Sequence, residues 1–140
     1  MAEEQGDDEM KDVKCVVTVL VKGGKVLAEK RHANDKLDAG KIDLPGGHVD
    51  AGESIEEALI RESSEEFGVV PTEYSFICRL PYQTGDENQD CYYYAITKWK
   101  GKIKTKEAEK LEWIKIREAD KYLDLDVDKK ALEKLSGMKQ

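Results

Sequence analysis

Residues 44–69 read LPGGHVDAGESIEEALIRESSEEFGV, and this stretch decides the organisation of the chain. Ser54 is a suitable N-cap, and Glu57 three positions later completes a capping box that satisfies two otherwise unpaired backbone N–H groups. Gly68 supplies the left-handed residue that closes a helix, so a helix is expected from about Ser54 to Phe67. On that helix Glu62, Glu65 and Glu66 share an arc of about 100°, being i, i+3 and i+4. Leu59, Ile60 and Phe67 fall on a different arc, which suits a core. Like charges so placed cost about 0.2–0.5 kcal/mol per pair, and Arg61 alone cannot neutralise three carboxylates. A hard divalent cation, which takes oxygen ligands and keeps waters, can.

On the N-terminal side, Val13 to Val21 is apolar at both parities and reads as a buried strand ended by Gly23-Gly24. Lys25 to Arg31 is its expected hairpin partner. Residues 32–41 are polar and read as a loop. Ile42-Asp43-Leu44 is a short apolar piece stopped by Pro45-Gly46-Gly47. On the C-terminal side, Tyr74–Leu80, Cys91–Trp99 and Leu111–Ile116 read as strands, with turns at Gly85 and near Gly101. Val127, Ala131, Leu132 and Leu135 have helical spacing, which predicts a last helix over about 126–135. The reading is one mixed α/β (α+β) domain over 13–138, preceded by a disordered acidic tail, 1–12.

Charge is unevenly spread. Residues 1–12 hold six acids and one lysine, and residues 47–69 hold seven acids and one arginine, so a net charge of −7 leaves the remainder mildly basic. A basic body around one acidic segment is poorly suited to gripping a nucleic acid directly, and well suited to binding a polyanion through a cation. No run of about 18 apolar residues is present, which excludes a membrane-spanning helix. The first residues lack the basic and apolar regions of a secretory signal. Cys15, Cys78 and Cys91 cannot all pair, which points to a reducing, cytoplasmic setting.

From Gly47 the order is five residues, Glu53, seven residues, Arg61-Glu62, two residues, Glu65-Glu66, one residue, Gly68 and apolar Val69. This resembles the box of the Nudix hydrolases, and the lead-in from Leu44 to Ser54 resembles that family too. The strand order around the box and Trp113 in a late strand extend the likeness over most of 13–135, and the short chain resembles the compact MutT-like members. Ser63 departs from it, standing where the family has an aliphatic residue.

The resemblance implies a mixed sheet sandwiched between helices and a magnesium-dependent (or manganese-dependent) hydrolysis of nucleoside diphosphates linked to a further group. It implies Glu65 and Glu66 as metal ligands with the Gly46 carbonyl, Glu62 as ligand or general base, Arg61 as orienter of the carboxylates and Glu53 as support for loop and helix. Gly47 and His48 lie where a phosphate would pass. Family members often take a further carboxylate from a loop before a late strand, and Glu107, Glu109 and Glu112 precede Trp113 here, the first two being the better placed.

The short chain favours a nucleoside triphosphate as substrate, giving monophosphate and pyrophosphate. ADP-ribose or a nucleotide sugar is the alternative, and a non-catalytic nucleotide-binding module is a third reading, opposed by the intact box. The partner is a small nucleotide, with no membrane or nucleic acid, and monomer and homodimer both stay open. Lys98, Lys100, Lys102, Lys104 and Lys106 alternate as on one face of an edge strand. Tyr82, Tyr92, Tyr93, Tyr94 and Trp99 include candidates for stacking on a base.

Overall fold

Strand β1 (Lys11–Lys22) is the element on which the others are assembled, because six consecutive residues, Cys15 to Leu20, are buried on its two faces. In this computed structural model the described residues are 9–106 and 108–138, so Glu107 and the first eight residues of the acidic tail lie outside them. β1 begins at Lys11, so Lys11 and Asp12, expected in the tail, belong to the sheet and pair with Glu87 and Asn88. Then come β2 (Lys25–Lys30), β3 (Ile42–Asp43), β4 (Gly46–His48) and helix α1 (Ile55–Phe67). The long strands β5 (Val70–Thr84) and β6 (Glu87–Lys100) form a hairpin around Gly85. β7 (Lys110–Lys115), a 3₁₀ turn (Ile116–Glu118) and the helices α2 (Ala119–Tyr122) and α3 (Asp126–Ser136) complete the fold.

The mixed sheet has the order β3-β2-β1-β6-β5, with β7 on the far edge of β2. β6 runs parallel to β1 along one edge, Lys11 opposite Glu87 through to Leu20 opposite Ile96. Along its other edge β1 takes β4 at Cys15–Val17 and β2 at Val21 and Lys22. Alternation then separates two cores. Cys15, Val17 and Val19 pack with Tyr93, Ala95, Leu132 and Leu135, beneath α2 and α3. Val16 and Leu20 pack with Leu59, Phe67, Val69 and Ile96, beneath α1. The expected layering, a sheet between helices, is what the structure has.

Two expectations are corrected. The lysine series does not line one strand: β6 ends at Lys100, Gly101 turns the chain with φ 102°, and residues 102–106 run irregularly past the end of α1. There Lys104 N–H donates to the Phe67 carbonyl and Lys106 Nζ donates to the Ser64 carbonyl. Nor is β6 an edge strand, since β1 and β5 flank it. The second correction is β4. Pro45-Gly46-Gly47 reads as a stop, yet Gly46–His48 pair with β1, and Gly46, having no Cβ, lets the two backbones approach closely. A Cβ on Gly46 would strike the Val16 carbonyl.

Candidate active site

Helix α1 forms as its end residues dictate. The Ser54 hydroxyl accepts from Glu57 N–H at 3.0 Å, the Glu57 carboxylate accepts from Ser54 N–H at 2.8 Å, and Gly68 closes the helix at φ 75°. Its inward face is not purely apolar: Ala58, Leu59, Glu62, Ser63, Glu66 and Phe67 are buried, while Ile60 is half-buried. Ser63 fits because its hydroxyl donates back to the Leu59 carbonyl at 2.8 Å. The three glutamates of the expected acidic face divide. Glu62 and Glu66 are each 7% exposed, and Glu65 stands at the rim.

Arg61 organises the helix and loop. Its Nε donates to Glu53 Oε2 at 2.7 Å, and its Nη2 donates to Glu53 Oε1 and to the His48 carbonyl, both at 2.9 Å. Its Nη1 donates to Glu62 at 2.9 Å and to Glu65 at 3.1 Å. A forked guanidinium is the side chain able to hold so many acceptors at once. The Arg61 bonds, with a bond from Asp50 N–H, hold the Glu53 carboxyl down at about 2. Arg61 itself is pushed up, first by its bond to Glu53. Gly47 lies directly over Glu62, and any Cβ there would strike the carboxylate. Loop and helix are thus locked by one cation and one missing side chain.

The donor set here is all oxygen and suits a hard cation. No three His, Cys, Asp or Glu side chains among the described residues converge as a ready cage. A hard divalent cation commonly takes one or two protein carboxylates and completes its shell with water and substrate phosphate. Glu62, Glu66, Glu65 at the rim and the Gly46 carbonyl are the oxygens available to hold it.

The remaining expected residues fall around this centre. The His48 ring is not simply solvated: Nε2 is hydrogen-bonded to Glu87 Oε1 at 2.9 Å. Partial burial opposes charge on Glu87, but bonds from Gln89 and His48 keep its carboxyl below the usual range. Glu109 is placed against Lys30 at 3.6 Å and His32 at 4.0 Å, at the end of β2. Glu107 lies outside the described residues. Among the aromatic candidates, Trp99 stacks on Trp113, Tyr92 lies under the Arg79 guanidinium, and Tyr82 and Tyr93 line a cavity.

That cavity, about 140 Å³, opens beside Gly46, Gly47 and His48, and its acidic residues were not singled out from the sequence. Glu29, Asp43 and Asp128 line it and are buried. Asp128 accepts from the Tyr93 hydroxyl at 2.6 Å and from Leu44 N–H at 3.0 Å, while burial raises its carboxyl to about 6. Burial and the neighbouring Glu29 push the Asp43 carboxyl up to about 11, which favours its protonated form. Its Oδ1 is buried with no hydrogen-bond partner among the described residues. The signal in the sequence was faint: Asp43 alone stands between two apolar residues, while Glu29 and Asp128 are followed by basic ones.

A family model described as the NUDIX domain matches residues 10–135. The chain belongs to the NUDIX family. It is 29% identical over 107 residues to the 8-oxo-dGTP diphosphatase of Escherichia coli, covering 76% of this chain and 83% of that one. It is 26% identical over 113 residues to the CTP pyrophosphohydrolase of the same organism, covering 81% and 83%. Among solved structures it superposes on the MutT protein of Methanosarcina mazei with a TM-score of 0.80 at 22% identity, covering 92% of this chain and 96% of that one, which bears on fold alone. No helix among the described residues is long and apolar enough to cross a membrane.

Proposed function

We propose that this NUDIX protein is a magnesium-dependent pyrophosphohydrolase that cleaves nucleoside triphosphates to monophosphate and pyrophosphate. The observation that carries the reading is the pair Glu62 and Glu66, both buried on α1, with Glu62 under Gly47 and joined to the loop through Arg61. Buried carboxylates are retained at such a cost when they bind something, and oxygen donors beside a glycine loop suit a cation carrying a phosphate chain. When bound, magnesium would neutralise phosphate charge and acidify the attacking water.

Glu62, Glu65, Glu66 and the Gly46 carbonyl are the proposed metal-holding groups. Arg61 holds Glu62 and Glu65 in place, and Gly47 and His48 border the phosphate path. Glu53 is a positioning group rather than a base, because Arg61 occupies both of its oxygens and keeps it ionised. Glu62 is our assignment for the base that takes the water proton. Glu107 and Glu109 are proposed as a supplementary carboxylate source. The acidic cavity beside the loop is the proposed seat of the base. Glu29 and Asp128 offer acceptors there, and protonated Asp43 adds a donor, so the site suits a base edge bearing amino or imino hydrogens. The free thiols fit a cytoplasmic protein.

The test is product analysis on a panel of nucleoside triphosphates and ADP-ribose with magnesium, at low salt. A triphosphate should give monophosphate and pyrophosphate with the higher kcat/KM, since its extra charge gains more from metal and basic body. A preference for ADP-ribose of about tenfold or more, about 1.4 kcal/mol in transition-state binding, would overturn the triphosphate assignment.

A further inference from the structure

Cys15 on β1 and Cys91 on β6 are register partners across the parallel pair. Partners in register project to the same face, and both line the cavity beside the loop. The two thiols lie close enough to influence one another electrostatically. Adjacent strands lie about 4.8 Å apart, inside the span of about 4.4–6.8 Å over which a disulfide bridges two Cα atoms. Cys78 is placed differently, opposite Tyr93 on β5.

We infer that Cys15 and Cys91 form an oxidation site that closes to a disulfide under hydrogen peroxide and disables hydrolysis. Each of the two cysteines is 4% exposed, so the route in is the cavity. Its volume of about 140 Å³ greatly exceeds the roughly 10–15 Å³ that a water needs, and it admits a molecule as small as peroxide. Peroxide converts one thiol to a sulfenic acid and releases a water. The second thiol then attacks that sulfur, the S–S bond forms, and the oxygen leaves as a second water. Two thiol hydrogens and two electrons pass to the peroxide. The neighbouring Cys91 thiol, burial, and the carboxylates of Glu87 and Glu62 push the Cys15 thiol up, so the pair reacts slowly and responds to sustained oxidant.

A chain of contacts carries the change to the hydrolytic centre. Cys91 Sγ contacts Gln89 Oε1 at 3.8 Å, Gln89 Nε2 donates to Glu87 at 2.9 Å, and Glu87 holds the His48 ring. The His48 carbonyl in turn accepts from Arg61, and His48 is the register partner of Cys15 in β4. A disulfide removes the Cys91 hydrogen and draws the sulfurs to about 2.05 Å, displacing both ends of this path.

The full chain is treated with hydrogen peroxide and mapped without reduction. The expected result is one Cys15–Cys91 linked peptide, an intact mass lower by two hydrogens, and triphosphate hydrolysis reduced about tenfold or more, about 1.4 kcal/mol, and restored by dithiothreitol. Cys15→Ala and Cys91→Ala should each abolish the link and, against their own untreated rates, lose little under peroxide. Cys78→Ala should behave as the parent. A link that includes Cys78, oxygen addition without a link, or linked protein hydrolysing at the untreated rate would overturn the inference. The peptide map is independent of hydrolysis, so its failure is distinguishable from failure of the assigned activity.

Discussion

Two groups of acids lie on either side of the Gly46-Gly47 loop, and their protonation is set in opposite directions. Around Arg61, Glu53 is held down at about 2 by a guanidinium bound to both its oxygens. In the cavity, Asp43 and Asp128 are raised to about 11 and about 6, chiefly by burial. The residue type is nearly the same, so the environment decides whether a carboxyl is a charge to meet a cation or a neutral group to read hydrogen bonds.

The largest effect expected of this contrast is on the Arg61 side. Glu66→Gln keeps the volume and removes the charge, so kcat should fall about a hundredfold, about 2.7 kcal/mol, while the melting temperature holds or rises. Near-parental turnover would remove Glu66 from the chemistry. Next, magnesium should stabilise the parent by about 2.7 kcal/mol at a hundred times Kd, read as a shift in the melting curve. That shift should vanish in Glu62→Gln/Glu66→Gln, and an undiminished shift would put the ion elsewhere.

The cavity side answers to pH. A carboxyl whose folded value lies above its unfolded value binds more protons when folded, so its contribution is full below about 4 and declines as pH rises towards the folded value. Asp43→Asn should therefore stabilise the protein, by more at pH 9 than at pH 5, in urea titrations. Glu53 has the reverse sign: its stabilisation is present above its unfolded value near 4.5 and is lost as pH falls towards 2. Equal gains for Asp43→Asn at both pH values would mean that the two groups of acids do not differ as described. The smallest effect belongs to the loop lysines. Lys102→Gln/Lys104→Gln should move stability by less than about 0.5 kcal/mol, because neither side chain lies in a packed interior.

What could be read from the sequence is what depends on neighbours in the chain. Ser54 and Glu57, three positions apart, start α1 and Gly68 stops it, and the structure ends the helix where they indicate. β4 was not legible, since its pairing needs Val16 and Val17, about thirty positions earlier, and turn residues that ordinarily end a strand. The lysine alternation misled for a related reason. Gly101 takes φ 102° with Gly68 packed against it, a contact between distant segments that no local pattern encodes. Arg61 was read as orienting carboxylates and Glu53 as supporting loop and helix; that the two bond each other, eight positions apart, is what the structure adds. Asp128 was hidden because its partners, Tyr93 and Leu44, come from two other elements.

The parallel pairing of β1 with β6 has a consequence for how the protein is made. Lys11 meets Glu87, a partner 76 positions further on. At about 5–20 residues per second, a ribosome needs about 4–15 s to supply the partner after β1 has been synthesised. During that interval one edge of the most apolar strand in the chain has nothing to pair with, and the closing contact is among the longest in sequence. The nascent chain should therefore lean on a holdase, and slowing translation between codons 30 and 85 should lower soluble yield more than slowing it after codon 100.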